Sequence, residues 1–154
     1  RLAWVIGHPV LIDKIITAKQ SADLCSPAFV QKITARYMEK GLLDINLQKT
    51  VALYRERRDH MLRCLREFMP EGVKWTEPEG GLFLFVTLPP SMDAAKLLER
   101  AIKKNVAFVC GSVFYCNNEG QNTMRLNFSF AGPEDTNKGV SRLADAIREE
   151  MATL

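Results

Sequence analysis

From about residue 46 onward the apolar residues switch between helical and strand-like spacing. From about residue 46 to residue 69 they recur three and four residues apart, which predicts the longest helix. Short apolar runs predict strands at 73–76, 81–88, 106–109 and 125–130, and helical patterns predict helices over 93–104 and from Gly132-Pro133 onward. The order helix, strand, strand, helix, strand, strand, helix indicates an α+β fold in which helices cover a small sheet.

The first 45 residues have a different pattern. Residues 2–7 are apolar and end at a glycine, which predicts a short buried strand. A helix is predicted from Pro9 to about Ser21, and an amphipathic segment follows the break at Pro27 and ends at Gly41. This part of the chain therefore adds helices ahead of the α+β region.

Composition excludes several classes of protein. The chain has 154 residues, 47% of them hydrophobic and 25% charged, with a net charge of only +3, which is typical of a globular domain. The sequence has no run of about 18 apolar residues, so no segment is predicted to span a membrane. The longest predicted helix is rich in arginine, but acidic residues are interspersed, so we interpret it as a solvated face laced with ion pairs rather than a nucleic-acid surface. The arginines are Arg55, Arg57, Arg58, Arg63 and Arg66.

The cysteines give no framework for a metal or for disulfides. Cys25, Cys64, Cys110 and Cys116 are scattered, no two form a CxxC pair, and the chain has two histidines. This spacing argues against a zinc site and favours reduced thiols in an intracellular protein.

A single arginine, Arg125, interrupts an otherwise apolar strand-like run from Met124 to Phe130. An unpaired buried charge costs several kcal/mol, on the order of 3–5 when a partner is removed, so its guanidinium should meet an anion. A carboxylate matches the guanidinium fork, which makes Arg125 a candidate receptor for a small acid. Two alternatives stay open: an internal pair with an Asp or Glu, and an arginine whose head reaches water.

Four motifs together point to a family. In chain order they are the opening Arg1-Leu-Ala-Trp4, Pro78-x-Gly80-Gly81-Leu-Phe83-Leu-Phe, Gly111-x-x-Phe114-Tyr115 and Met124-Arg125-Leu-Asn-Phe-Ser. Taken together they resemble the C-terminal domain of fold-type-I pyridoxal-phosphate aminotransferases, in the aminoadipate, kynurenine and aromatic branch. The resemblance covers essentially the whole chain. It implies that residues 1–45 end the large cofactor-binding domain and that residues 46–154 form the small domain, with a mostly antiparallel sheet.

The resemblance also implies roles for individual residues. Arg125 would hold the α-carboxylate of the substrate, Phe83 and Phe114 would wall its side chain, and Gly80 and Gly81 would let the backbone approach it closely. For Phe83 and Phe114 plain core packing remains an alternative. Arg1 would bind the cofactor phosphate.

Two departures from the family pattern matter. Cys110 stands where the family often has proline before the glycine, so the loop that carries Phe114 is less constrained. The lysine that forms the Schiff base with pyridoxal phosphate should lie upstream of Arg1, so no catalytic residue is expected in this chain. We therefore expect the chain alone to be inactive. The full-length parent would be a cytoplasmic homodimer of amino-acid metabolism that moves an amino group between an amino acid and a 2-oxo acid.

Two other functions fit the same pattern. The first is a transcription regulator that joins a DNA-binding module to an aminotransferase-like effector domain. The second is a cofactor-free α+β binding module in which Arg125 pairs internally. Residues upstream of Arg1 would distinguish them.

Overall fold

The computed structural model describes residues 2–154. Within them the helices are α1 (Pro9–Ala22), α2 (Ala28–Glu39), α3 (Leu42–Phe68), α4 (Ala94–Lys103) and α5 (Pro133–Met151), and the strands are β1 (Lys74–Trp75), β2 (Phe83–Thr87), β3 (Val109–Cys110) and β4 (Thr123–Asn127). A short 3₁₀ turn, Gly111–Phe114, follows β3. The order of elements predicted from residue 46 onward, and the α+β class, are confirmed.

The strand predicted over residues 2–7 is wrong. These residues adopt no regular secondary structure, and the sheet contains only β1 to β4. Trp4 and Ile6 are exposed, at 72% and 89%. A strand exists only where a neighbour completes its hydrogen bonds, and an apolar run alone does not supply that neighbour.

β1 and β2 lie within the predicted ranges 73–76 and 81–88 but are shorter, and the bounds of the other two strands are shifted. The strand predicted at 106–109 is β3, which occupies Val109–Cys110 only. The last strand begins at Thr123 and ends at Asn127, rather than running from 125 to 130. Beyond the strands, Phe108 and Phe128 pack into the core, whereas Phe130 is exposed.

The chain divides into two compact units, the first ending at Lys49 and the second beginning at Thr50, so the boundary lies within α3. The two helices of the first unit, α1 and α2, carry no buried residue. The second unit contains the sheet, the hydrophobic core and Arg125 with its aromatic neighbours.

Local sequence signals start the helices of the second unit. Asp93 caps α4, and its Oδ1 accepts hydrogen bonds from the backbone N–H groups of Ala95 at 2.7 Å and Lys96 at 3.3 Å. Pro133 occupies the first turn of α5, followed there by Glu134 and Asp135, where negative charge favours the helix dipole.

The sheet is antiparallel throughout, in the order β1-β2-β4-β3. Side chains alternate between its faces, and one face packs into the core through residues that include Leu84, Val86, Met124 and Leu126. The core is completed by α3, α4 and α5, whose innermost side chains include Leu65, Leu97, Leu143 and Ile147. The same alternation places Phe83, Phe85 and Arg125 on the opposite face.

Candidate functional site

Arg125 lies in the middle of β4, between two neighbouring strands. It is directly opposite Phe85 of β2 on one side and Val109 of β3 on the other. Because Met124 and Leu126 are buried in the core, the alternation of the strand turns Arg125 away from the core. A charged group can therefore stand on the sheet without entering the hydrophobic interior.

The guanidinium of Arg125 stacks on two aromatic rings. Its Cζ lies 3.8 Å from the ring centroid of Phe83 and 4.5 Å from that of Phe114. The ring of Phe114 also meets that of Phe85 edge to face, with centroids 5.6 Å apart and an interplanar angle of 76°. These contacts are favourable cation–π and aromatic pairs, and they restrict the orientation of the guanidinium.

The Nε atom of Arg125 is buried and has no hydrogen-bond partner. Among residues 2–154, no acidic side chain forms an ion pair with Arg125. The alternative of an internal pair with Asp or Glu thus finds no support in the part of the chain that the structure describes. A buried donor without a partner costs about 1–3 kcal/mol, so an incoming anion would relieve a cost already present.

Close packing fixes the turn that carries Phe114. A Cβ added to Gly111 would lie 1.9 Å from the Oγ1 of Thr123, so no other residue fits there without movement. Thr123 in turn donates a hydrogen bond of 2.7 Å to the carbonyl of Gly120. This packing holds the turn in place although Cys110, rather than proline, precedes it.

Cys110 is itself half-buried. Burial, reinforced by the nearby Asp93 carboxylate, raises the pKa of the Cys110 thiol above its ordinary value. The thiol is therefore protonated near neutral pH and is a poor nucleophile.

The two glycines ahead of β2 differ in conformation. Gly81 has φ of +79°, in the left-handed region that favours glycine, whereas Gly80 is not among the residues with positive φ. A Cβ on either residue would meet nothing within 4 Å. The backbone at this turn is therefore open, as a close approach by a small molecule would require.

The described residues around Arg125 do not form a cradle for a cofactor. Arg1, the predicted phosphate ligand, lies outside the described residues. No lysine lines the cavity next to Arg125, and within residues 2–154 no cluster of His, Cys, Asp and Glu could hold a metal ion. What the described part of the site offers is the buried, unpartnered Nε of Arg125, a donor that suits an anion.

Two features of the site were not predicted from the sequence. Phe85 completes the aromatic group, and the signal was available, because Phe85 is two residues after Phe83 on the same face of a strand. The second feature is a cavity of about 390 Å³ beside Arg125, lined mainly by apolar side chains. No sequence pattern marks it, since the residues that form it come from separate elements.

Three arginines of α3 contact loops of the second unit. Arg57 donates to the carbonyl of Ser129, and Arg58 donates to the carbonyl of Pro78 at 3.1 Å and to Asp59. Arg66 pairs with Glu77 at 2.7 Å. These contacts tie loops to the helix. Of the five arginines, Arg58 and Arg66 form ion pairs in the described residues, so the interpretation of α3 as an ion-paired face holds for part of it. None of the helices in residues 2–154 is both long and apolar enough to cross a membrane.

Comparison with known proteins places the chain in a family. The Aminotransferase class I and II family matches residues 1–147. The chain therefore belongs to the class I and II aminotransferases, as the four motifs indicated. It is 47% identical over 151 residues to Aromatic-amino-acid aminotransferase 1 of Thermococcus litoralis, covering 98% of this chain and 36% of that protein.

Solved structures agree with this assignment. The multiple substrate aminotransferase of Thermococcus profundus matches with a TM-score of 0.84 and 49% identity, over 96% of this chain and 36% of that one. The α-aminoadipate aminotransferase LysN of Thermus thermophilus, solved with N-(5'-phosphopyridoxyl)-L-leucine, matches with a TM-score of 0.82 and 35% identity, over 97% of this chain and 38% of that one. The aminotransferases of this family depend on pyridoxal phosphate. The chain spans only about 36% of the length of these relatives.

Relatives of another kind also match. The Uncharacterized HTH-type transcriptional regulator YdfD of Bacillus subtilis is 28% identical over 149 residues, which are 97% of this chain and 30% of that protein. The family's sequence pattern thus occurs in proteins named as regulators as well as in enzymes.

Proposed function

We propose that this chain is the C-terminal part of a pyridoxal-phosphate aminotransferase that moves an amino group between an amino acid and a 2-oxo acid. The observation that carries the proposal is the Arg125 guanidinium, stacked on Phe83 and Phe114 and lacking any acidic partner in the described residues. A fixed planar cation with a free donor is what a carboxylate receptor requires.

The proposal assigns a role to each site residue. Arg125 holds the α-carboxylate, which orients the amino group of the substrate. Phe83 and Phe114 hold the guanidinium and form part of the wall beside the substrate, and the open backbone at Gly81 allows the substrate to approach closely. Arg1 binds the cofactor phosphate. The cofactor supplies the electron sink when it is bound.

The complete enzyme needs more than these residues. In this proposal residues 1–45 end the large domain, residues 46–154 form the small domain, and the Schiff-base lysine lies upstream. The chain alone is then inactive, and the full-length enzyme is a homodimer. A cytoplasmic location is supported by four free cysteines, none of which forms a disulfide in the described residues.

The test is a half-reaction in the full-length protein. The protein is loaded with pyridoxal phosphate, and the absorption spectrum of the bound cofactor is followed while single amino acids are added. We expect the aldehyde form of the cofactor to be consumed, and a 2-oxo acid to restore it. A loaded protein whose spectrum responds to none of the standard amino acids would argue against the proposal.

A second candidate is the effector domain of a transcription regulator, favoured by the similarity to YdfD. Reading the gene upstream of Arg1 distinguishes the two. A winged-helix DNA-binding module would support the regulator, and a cofactor-binding large domain without such a module would support the enzyme.

A further inference from the structure

Two consecutive arginines of α3 reach two different loops. Arg57 donates a hydrogen bond to the carbonyl of Ser129, and Arg58 donates one of 3.1 Å to the carbonyl of Pro78. Both arginines are half-buried. Successive side chains of an α-helix point about 100° apart, so a neighbouring pair can contact two separate segments. One turn of α3 thus holds two loops that are distant in the sequence.

These two loops lie at the same end of the β2-β4 pair. Pro78 precedes the start of β2, and Ser129 follows the end of β4. Between them, the backbone N–H of Phe128 donates a hydrogen bond of 3.1 Å to the carbonyl of Leu82, which joins the two chain segments just beyond the strands. Both arginines therefore act where β2 begins and β4 ends.

A local turn presents the Ser129 carbonyl to Arg57. The Oδ1 atom of Asn127 accepts hydrogen bonds from the backbone N–H of Ser129 at 2.7 Å and from its hydroxyl at 2.9 Å. An Asn side chain that bonds two residues ahead in this way fixes the backbone of a turn. The acceptor of the Arg57 hydrogen bond is therefore itself held in place.

The end of the strand pair also carries the ring on which Arg125 stacks. Phe83 is the first residue of β2 and lies directly opposite Asn127. The Cζ atom of Arg125 lies 3.8 Å from the centroid of the Phe83 ring. Such a contact requires the cation to stay within about 6 Å of the ring centroid. A shift of either loop would therefore disturb the stack that orients the Arg125 guanidinium.

We propose that Arg57 and Arg58 are positioning residues for Arg125. They hold the two loops at the end of the β2-β4 pair and so keep the Phe83 ring against the guanidinium. The inference rests on the proposed function of Arg125, which remains the residue that receives the carboxylate. It adds two residues of α3 that act on the substrate only through others.

The test uses single substitutions in the full-length enzyme. Arg57→Met and Arg58→Met each remove the donors and keep an unbranched stem, and Arg55→Met is the matched control, because Arg55 is exposed on the same helix. For the first two we expect KM for the amino acid to rise about five- to tenfold while kcat changes by less than about twofold, because uniform binding is lost. Arg55→Met should keep the wild-type KM. A loss confined to kcat, or the same rise in KM for Arg55→Met, would overturn the proposal.

Combination with Arg125→Leu distinguishes positioning from a general effect on folding. In that background Arg57→Met and Arg58→Met should each change kcat/KM by less than about twofold, because no guanidinium remains to be positioned. A further loss as large as in the wild-type background contradicts the inference.

A conservative variant tests the hydrogen bond itself. The Arg57 contact needs a single donor, which an ammonium also supplies, so Arg57→Lys should keep KM within about twofold of wild type. A KM as high as that of Arg57→Met would show that the hydrogen bond to Ser129 is not what positions Arg125.

Direct binding separates this inference from the proposed function. 4-Methylpentanoate, a carboxylate without an amino group, is titrated by calorimetry into the full-length wild type, Arg58→Met and Arg125→Leu. We expect Arg125→Leu to abolish binding and Arg58→Met to weaken it about five- to tenfold, whether or not the wild type transaminates. If Arg125→Leu abolishes binding and Arg58→Met binds as wild type does, the positioning role is wrong and the proposed role of Arg125 stands. If Arg125→Leu binds as wild type does, both are wrong. Should Arg58→Met fail to fold, Arg57→Met takes its place with the same outcomes.

Discussion

The guanidinium carbon of Arg125 lies 3.8 Å from the ring centroid of Phe83, which stands on the adjacent strand β2. Phe114 supplies a second ring at 4.5 Å, from the turn after β3. Two separate segments thus fix one side chain. A guanidinium held in this way loses little rotational freedom when a carboxylate binds, which favours affinity.

Replacing either ring should loosen this arrangement. We expect Phe83→Leu or Phe114→Leu to lower kcat/KM of the full-length enzyme. The loss of transition-state stabilisation should be about 0.5–2 kcal/mol, the strength of a cation–π contact. Phe130→Leu is the control, because Phe130 is 90% exposed and makes no such contact. Steady-state kinetics of the three variants checks this, and losses as large in Phe130→Leu would show that the stacking is irrelevant.

Glycine substitutions should separate close packing from open space. Gly111→Ala forces a methyl group into Thr123, and we expect it to destabilise the fold by about 1–3 kcal/mol. Gly139→Ala meets nothing within 4 Å and should stabilise by about 0.5–1 kcal/mol, because alanine favours the helix. Urea unfolding of both variants measures the difference. A Gly111→Ala variant as stable as wild type would mean that the turn carrying Phe114 is not tightly packed.

The cysteines should differ in reactivity. Burial is the main cause that raises the pKa of the Cys64 thiol, and the nearby Glu67 carboxylate adds to it. Burial also raises the pKa of the Cys110 thiol. Because the thiolate is the nucleophile, both thiols stay protonated at a pH where an ordinary thiol begins to ionise. Alkylation with iodoacetamide at about pH 8.5 should modify the exposed Cys25 and Cys116 first. Mass spectrometry of the peptides reads the order, and labelling of Cys64 as fast as Cys116 would contradict it.

The chain by itself should not transaminate. The described residues offer the cofactor no cradle, so its aldehyde can only react weakly with surface lysines. We expect the purified chain, mixed with pyridoxal phosphate and reduced with borohydride, to be labelled at several lysines and below one equivalent. One lysine labelled stoichiometrically, with a spectral change on adding an amino acid, would show that the chain carries a complete site.

Much of the fold could be predicted from the sequence, because β2 and β4 alternate and α3, α4 and α5 have clear apolar stripes. The failures have a common physical cause. The apolar residues 2–7 lie exposed without a pairing partner, and Val106 and Phe108 line a cavity instead of extending β3. In both places the sequence reports hydrophobicity but not what the side chains contact.

The site was predicted in part for the same reason. Arg125 was conspicuous as a charge within an apolar strand, and its lack of an acidic partner in the described residues is now visible. Phe85 and the cavity depend on which strands are neighbours, which residue spacing alone does not reveal.

The most direct test of the central claim is the kinetics of Arg125→Leu in the full-length, cofactor-loaded enzyme. We expect kcat/KM for the amino acid to fall, with a raised KM, while cofactor binding persists. The loss of transition-state stabilisation should be about 2–5 kcal/mol, because a charge-assisted pair is lost. Arg125→Lys should also be poor, since an ammonium cannot reproduce the planar fork. If Arg125→Leu keeps kcat/KM near the wild-type value, Arg125 does not hold the substrate carboxylate.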